Sequence, residues 1–221
     1  MDEEIKNSVL KTGTSIVGIV CKDGIVMAGD RKVTLGGQIV VSKNEQKVIQ
    51  INDYIVASFT GNASDAQMLQ KVIAAELRLK HLRSKTRPTV KESANLLTML
   101  TFRNIRQFST IPSIAGTLVA GFNEDGSCEL YTIEPAGSIM KVEDYDANLG
   151  SGMPYMLGLL ERQYKKDMTI KEGVNLAIEA LKSSTQRDTA SGSGIDVFAI
   201  TKEGIKHEIK QTIEATYKEE K

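Results

Sequence analysis

The apolar residues of the first sixty positions come in short runs, many of them β-branched, with turn sequences between them. The runs cover residues 15–20, 25–28, 38–41, 47–51 and 55–59. Lys22-Asp23-Gly24 separates the first two runs, and an Asp-Gly turn between β-branched segments is typical of a β-hairpin. The pattern therefore predicts a meander of strands from residue 15 to residue 59.

The period of the apolar residues changes after residue 61. Asn62 can cap a helix over residues 63–82, whose buried face would carry Ala66, Leu69, Ile73 and Leu77. A second helix, through Ile105, is predicted after the capping box Thr89-Val90-Lys91-Glu92. Because only a short segment joins the two helices, we expect them to be neighbours in space.

The same succession of strands and paired helices then occurs a second time. Strand patterns cover residues 117–122, 128–133 and 138–142, and a third helix is predicted to start near Gly152. A fourth helix follows the capping box Thr169-Ile170-Lys171-Glu172, and its buried face would carry Val174, Ala177, Ile178 and Leu181. Two strand patterns, over residues 196–201 and 205–209, close the succession.

Runs of strands followed by runs of helices predict an α+β fold with antiparallel sheets. Two sheets stacked face to face and covered by helix pairs would account for the order of the elements. No linker-like change of composition divides the chain. We therefore expect one domain over residues 14–221, preceded by a leader of residues 1–13 that carries too few apolar side chains to pack.

Composition and charge exclude several classes of function. The 221 residues carry 28 Lys and Arg against 28 Asp and Glu, so a nucleic-acid or anionic-membrane partner, which needs a basic surface, is not expected. The sequence contains no apolar run of about 18 residues, so no membrane-spanning helix is predicted. Residues 1–7 begin acidic and resemble no signal peptide, which favours a cytoplasmic protein.

The cysteines and histidines predict no metal and no cofactor. Cys21 and Cys128 each lie in a strand pattern and are interpreted as reduced core thiols. His81, near the end of a charged helix, and His207, in a terminal strand, are interpreted as surface or partly packed residues. These four residues form no cluster at metal-ligand spacing.

Familiar catalytic motifs are absent from the sequence. It contains no Gly-x-Ser-x-Gly, no Gly-x-x-x-x-Gly-Lys-Ser/Thr, no His-Glu-x-x-His and no Cys-x-x-Cys. The run of residues 191–194, Ser-Gly-Ser-Gly, could hold a phosphate, but it precedes a strand pattern, so a loop is the better interpretation.

A threonine near the start of the chain offers another chemistry. If the bond after Gly13 were cut, Thr14 would gain a free α-amine that can accept its own hydroxyl proton, which makes the residue a nucleophile. Alone, a Gly-Thr-Ser run is more often an ordinary entry into a strand. The polar residues at strand ends and in loops are also ordinary when each is taken singly, since such a residue is most often solvated. They are Asp30, Lys47, Ser151, Asp188 and Ser191.

Taken together, these segments resemble the proteasome β subunits of archaeal type, which are N-terminal nucleophile hydrolases of the threonine peptidase class. The resemblance extends from Gly13 to about Ile209. It rests on Thr-Ser-Ile-Val-Gly at 14–18, Ala-Gly-Asp-Arg-Lys-Val-Thr at 28–34, Gly-Asn-Ala-Ser-Asp-Ala at 61–66, Gly-Ser-Gly at 150–152 and Gln-Arg-Asp-Thr-Ala-Ser-Gly at 186–192. It implies a four-layer αββα sandwich.

The resemblance also implies a role for each matching residue. Thr14 would be the nucleophile, exposed by autocatalytic cleavage after Gly13, with Lys47 beside its hydroxyl and Asp30 paired with Lys47. Three residues would orient the new amine: Ser151, Asp188 and Ser191. The Gly61 N–H would be the oxyanion-hole donor, and the Thr34 backbone would hold the substrate as an added strand. The pocket for the side chain before the cut would be lined by Val33, Glu45, Ile49, Phe59 and Ala63.

Three hypotheses of function follow from the resemblance. In the first, the chain is an active threonine endopeptidase that degrades unfolded proteins inside a barrel. Its partners would be other β subunits in a seven-membered ring, α-subunit rings, and a regulatory ATPase reached through the α rings. In the second, it is an unprocessed structural β subunit beside an active paralogue; the presence of Gly13, Thr14 and Lys47 favours activity. In the third, it is the shorter bacterial heat-shock protease ring subunit; the motif at 186–192 and the additional C-terminal helix and strands fit the proteasome subunits better.

Overall fold

A computed structural model describes residues 13–110 and 112–213. Its helices are α1 (Ala63–Ser84), α2 (Val90–Arg106), α3 (Met153–Gln163) and α4 (Ile170–Thr185). Its strands are β1 (Ile16–Cys21), β2 (Gly24–Asp30), β3 (Val33–Leu35), β4 (Ile39–Ser42), β5 (Val48–Gln50), β6 (Ile55–Gly61), β7 (Ala115–Phe122), β8 (Cys128–Ile133), β9 (Ile139–Val142), β10 (Tyr145–Asp146), β11 (Gly194–Thr201) and β12 (Gly204–Thr212). All of the predicted leader except Gly13 lies outside the described residues.

The strands form two five-stranded antiparallel sheets and a two-stranded ribbon. One sheet has the order β10-β1-β2-β11-β12, and the other has the order β5-β6-β7-β8-β9. The ribbon joins β3 to β4. In the first sheet Val17 pairs with Ala28, and Ile195 pairs with Asp30, which places the ends of β2 and β11 side by side.

Three apolar layers hold these elements together. Alternate residues of β1 point to opposite faces, so Val17 packs towards α3 and α4, whereas Ile16 packs towards the second sheet. The second sheet buries its other face against α1 and α2. The order of layers is therefore two helices, sheet, sheet, two helices, which confirms the predicted αββα arrangement.

The helices begin where their capping residues predict. The side chain of Asn62 accepts from Ser64 N, and the capping boxes at Thr89 and Thr169 are both formed. The predicted apolar face of α1 is buried, whereas the buried face of α4 is rotated from the predicted one. It consists of Gly173, Leu176, Ala177, Ala180, Leu181 and Ser184, and leaves Val174 and Ile178 at its margin.

Two strands were not predicted, and both owe their conformation to pairing. β3 pairs with β4 and has only three residues, of which Thr34 alone is buried, so it is too short to show an alternating pattern. β10 has two residues and forms by pairing with β1. Cys21 and Cys128 are free thiols. In the described ranges, no helix is both long and apolar enough to cross a membrane.

Candidate active site

Thr14 lies two residues before β1 and is held there by the loop that leads into α3. Its backbone N donates to Ser151 Oγ at 3.1 Å, and its carbonyl oxygen accepts from Gly152 N at 3.1 Å. Gly150 makes this approach possible, because its φ is +95° and a Cβ there would come 2.3 Å from the Thr14 oxygen. Thr14 itself is 4% exposed. The local fold therefore fixes Thr14 from both sides.

Two donors meet at the carbonyl oxygen of Gly13. The Thr14 hydroxyl donates to it at 2.6 Å, and Lys47 Nζ donates to it at 3.1 Å. Hydrogen bonds to a carbonyl oxygen draw electron density from the carbon and stabilise negative charge that develops on the oxygen. The peptide bond between Gly13 and Thr14 is therefore polarised, with a hydroxyl beside it.

Asp30 ends β2 and holds Lys47 in place. Its Oδ1 accepts from Lys47 Nζ at 2.7 Å and from Ser15 N at 2.9 Å. Its Oδ2 accepts from Lys32 N at 3.0 Å and from Gly192 N at 2.9 Å. The carboxylate is fully buried. Four donors thus fix both oxygens, so the carboxylate is unable to turn away from the ammonium.

Lys47 lies just before β5, and its environment changes its acidity. Burial lowers the pKa of the Lys47 ammonium below its ordinary value, because the low-dielectric interior disfavours charge. The charge of Asp30, and more weakly that of Asp188, acts in the opposite direction and limits this fall in pKa. The result is a compact cation that lies between Asp30 and the Gly13 carbonyl.

A hydrogen-bonded chain of side chains leads away from the backbone nitrogen of Thr14. Ser151 Oγ, which accepts from that nitrogen, donates to Asp188 Oδ2 at 2.6 Å. Ser191 Oγ donates to the same carboxylate oxygen at 2.6 Å. The structure thus brings together Ser151 from the loop before α3 and Asp188 and Ser191 from the loop after α4.

Two further buried serines extend this chain and were not predicted as site residues. Ser15 Oγ donates to Ser191 Oγ at 2.7 Å and also hydrogen-bonds Ser184 Oγ. Ser184 lies in the last turn of α4, 169 positions from Ser15. No local sequence signal marks Ser184, because its partner is brought to it only by the packing of α4 against the first sheet.

A cavity of about 280 Å³ opens beside Thr14 and Lys47. Its lining includes five of the six residues predicted for substrate binding, namely Val33, Thr34, Glu45, Phe59 and Ala63. The sixth, Ile49, lies in β5 opposite Ala57 and is not part of the lining. The lining also includes residues that were not predicted to bind substrate: Leu35, Val41, Gln46, Asn62, Ala66, Gln67 and Gln70.

The positive end of α1 faces this cavity. Gly61, Asn62 and Ala63 all line it, and they are the residues at which β6 ends and α1 begins. Gly61 has a φ of +107°, and a Cβ there would come 2.1 Å from Ile114 O, so the backbone conformation favours glycine. A helix N-terminus attracts developing negative charge. The cavity therefore suits an oxyanion close to Gly61.

Glu45 places a carboxylate on the side of the cavity. Gln67 Nε2 donates to Glu45 Oε1 at 3.3 Å across the lining. Phe59 contributes an apolar surface and is 3% exposed. The cavity therefore offers both an apolar wall and one acidic group to an occupant.

The site as a whole suits acyl transfer. It combines a hydroxyl, a buried ammonium, a carbonyl that both groups contact, and a serine–aspartate network around a backbone nitrogen. Across the ranges 13–110 and 112–213, no group of three or more His, Cys, Asp or Glu could hold a metal ion.

Known proteins share sequence similarity with most of this chain. The family model described as "Proteasome subunit" matches residues 10–200. A proteasome subunit beta of Nanoarchaeum equitans is 40% identical over 192 residues, which are 87% of this chain and 95% of the relative. Those of Ferroglobus placidus and Methanosarcina mazei are each 38% identical, over 96% and 88% of this chain and 97% and 89% of their own lengths.

Proposed function

The chain belongs to the proteasome subunit family, and we propose that within it this protein is a catalytic β subunit of the 20S core, a threonine endopeptidase. The observation that carries the proposal is the contact of the Thr14 hydroxyl and the Lys47 ammonium with one carbonyl oxygen, that of Gly13. A nucleophile and a cation that both lie at a scissile carbonyl are what autocatalytic cleavage requires.

The first proposed reaction is the cleavage of the chain itself. The Thr14 oxygen attacks the Gly13 carbonyl carbon, and the Lys47 ammonium stabilises the negative charge that develops on the carbonyl oxygen. The carbon–nitrogen bond then breaks, the proton that the Thr14 hydroxyl has lost is transferred to the nitrogen, and Gly13 is left as an ester on the Thr14 oxygen. Water hydrolyses the ester, which releases residues 1–13 and frees the Thr14 amine.

The freed amine would be the general base for peptide hydrolysis. An α-amine has an ordinary pKa of about 8, and a nearby ammonium disfavours its protonated form, so it can accept a proton near neutral pH. The Thr14 hydroxyl gives up its proton to this amine as it attacks a substrate carbonyl. The Gly61 N–H would bind the resulting oxyanion, and the group Ser151, Asp188 and Ser191 would orient the amine.

We also propose the setting in which this reaction occurs. The family relationship supports assembly with other β subunits in a seven-membered ring and with α-subunit rings, in the cytoplasm. The substrates would be unfolded proteins, delivered by a regulatory ATPase at the α rings. Such a barrel would confine a nucleophile that has little sequence selectivity of its own.

In a second candidate function, the chain is a proteasome subunit without catalytic activity. In it the chain stays unprocessed and supports an active paralogue in the ring. Gly13, Thr14 and Lys47 argue against this alternative, because an inactive subunit has no need of a hydroxyl and an ammonium at one carbonyl oxygen.

Co-assembly with candidate α subunits tests the proposal. The particle should hydrolyse fluorogenic peptides, and intact mass should show that residues 1–13 are gone. A particle that assembles fully, contains no other β subunit, and neither loses the leader nor hydrolyses peptides would support the structural alternative instead.

A further inference from the structure

Arg31 holds the backbone segment that carries Lys47. Residues 43–47 belong to no helix or strand. The Arg31 carbonyl accepts from Glu45 N at 3.1 Å, and Arg31 Nη2 donates to Asn44 O at 3.1 Å. Arg31 therefore binds both backbone groups of the peptide unit that joins Asn44 to Glu45, two residues before Lys47.

Asp196 in β11 fixes the guanidinium that makes one of these bonds. Arg31 Nη1 donates to both carboxylate oxygens of Asp196, at 2.8 and 2.7 Å. The Arg31 and Asp196 side chains are 6% and 0% exposed. A buried guanidinium that is bound to a carboxylate has little freedom to change its direction. The position of Asn44 is thereby linked to β11.

His207 in β12 supports Asp196 from the other side. Its Nε2 lies 3.0 Å from Asp196 Oδ1, and its ring stacks on Phe198 with the centroids 4.1 Å apart. The register of β11 and β12 shifts between Val197 and Phe198, so that Phe198 pairs with His207 rather than with Glu208. His207, Asp196 and Arg31 thus form a continuous chain from the edge of the first sheet to the Lys47 segment.

We propose that Arg31 and Asp196, supported by His207, are positioning residues that hold the Lys47 ammonium against Asp30 and the Thr14 hydroxyl. The proposal rests on the proposed function. Consecutive residues at the end of β2 then act on the same lysine. Asp30 binds its side chain, and Arg31 sets the path of its backbone.

The energetics favour a positioning role over a merely stabilising one. A buried ion pair contributes little net stability, because the cost of removing two charges from water offsets their attraction. Apolar residues of similar volume can often replace such a pair without loss of stability. What they would not replace is the hydrogen bond from Arg31 Nη2 to Asn44 O.

A double variant that replaces the ion pair with apolar residues, and so also removes the hydrogen bond to Asn44 O, tests the positioning role. Arg31→Met together with Asp196→Leu removes both charges, so neither is left buried and unpaired. In the particle co-assembled with α subunits, we expect kcat to fall about 10- to 100-fold, since displacement of a catalytic group by about 1 Å has effects of this size. KM should change by less than about threefold, because Lys47 acts on the reacting atoms and not on substrate binding.

A conservative variant covers the case in which the double variant does not assemble. Arg31→Lys keeps a cation opposite Asp196 but has no second nitrogen with which to reach Asn44 O. We expect it to assemble normally and to lose about 10-fold in kcat. Wild-type kcat in either assembled variant would overturn the proposal.

Two sets of controls separate the possible failures. Lys206→Met with Glu208→Leu removes an ion pair between an exposed lysine and a partly buried glutamate on β12, the strand that carries His207, and should leave kcat unchanged. Thr14→Ala and Lys47→Ala should be inactive. If they are inactive while the Arg31 variants are fully active, only the positioning proposal is wrong. If Thr14→Ala and Lys47→Ala are active as well, the proposed function itself is wrong.

Discussion

The Lys47 ammonium and the Asp30 carboxylate form an ion pair, with Nζ and Oδ1 2.7 Å apart and the side chains 7% and 0% exposed. The interaction lies at the start of β5 and the end of β2, and it directs Nζ towards the carbonyl oxygen of Gly13. Because buried ion pairs contribute little net stability, we infer that this one serves the chemistry at Thr14.

Thr14→Ala should abolish peptide hydrolysis and leave the fold and the assembly nearly intact. The side chain makes one hydrogen bond, to Gly13 O, whose loss costs about 1 kcal/mol of unfolding free energy. Peptidase rates and assembly of the purified particle check this expectation. Thr14→Ser, which keeps a hydroxyl, is the matched control and should retain activity. Substantial hydrolysis by an assembled Ala variant would rule out Thr14 as nucleophile.

Lys47→Ala should lower kcat by at least about 10²-fold, because the charge beside the Thr14 hydroxyl is lost. Lys47→Arg should not restore the rate, since a planar guanidinium does not fit a site shaped for a compact ammonium. Steady-state kinetics of both variants in assembled particles provide the measurement. If the Arg variant were as active as wild type, a diffuse positive charge would be sufficient.

The alkaline limit of activity should depend on Asp30. The protonated form of Lys47 is the active one, so activity is present below the Lys47 pKa and lost as the pH rises through it. Burial lowers this pKa from 10.5, and the Asp30 charge raises it. Asp30→Asn should therefore move the alkaline limb of kcat/KM to lower pH, in addition to lowering the rate.

The control for this pH profile is Glu203→Gln, which removes an exposed carboxylate from the turn between β11 and β12. Its profile should match that of wild type. Assembly must be checked at each pH, because disassembly would also end activity. An alkaline limb that stays in place in Asp30→Asn, or moves to higher pH, would contradict the assigned interaction.

The cavity should determine which peptides are cleaved. Phe59→Ala should shift cleavage towards larger apolar residues before the cut, because it removes a wall of the cavity. The substitution empties part of the core and costs about 3–5 kcal/mol, so Phe59→Leu serves as a milder second variant. Glu45→Gln should reduce cleavage after basic residues. Unchanged preferences across a panel of fluorogenic peptides would remove both residues from the specificity pocket.

Local sequence patterns predicted the elements whose structure is set locally. The four apolar residues of α1, from Ala66 to Leu77, lie on one helical face and are buried. The capping boxes at Thr89 and Thr169 mark true helix starts. Such features depend on contacts within one or two turns, which a single sequence displays directly.

Features that depend on distant pairing could not be predicted in this way. β3 exists because it pairs with the exposed β4, and Ser184 reaches Ser15 only after α4 packs on the first sheet. Arg31 and Asp196 are 165 positions apart, and neither carries a local signal. The role of residues such as Lys47 was predicted from the family resemblance, since each of them taken singly looks like an ordinary loop residue.

The proposed activity depends on cleavage of the chain after Gly13. Gly13 is buried against the loop after α4, and a Cβ at this position would come 1.9 Å from Ala190 Cβ. Gly13→Val should therefore slow or block cleavage, both by displacing the scissile carbonyl and by crowding the attacking oxygen. A chain that begins directly at Thr14 should bypass the block. If Gly13→Val matured at the wild-type rate, the fit of Gly13 against Ala190 would be irrelevant to cleavage.

N-terminal sequencing of the subunit, before and after co-assembly with α subunits, measures this cleavage. Before assembly the chain should retain its leader. After assembly the wild-type subunit should begin at Thr14, and Thr14→Ala, assembled without any active subunit, should keep residues 1–13. An active particle whose β subunits all retain the leader, or a Thr14→Ala particle still cut after Gly13, would contradict the account.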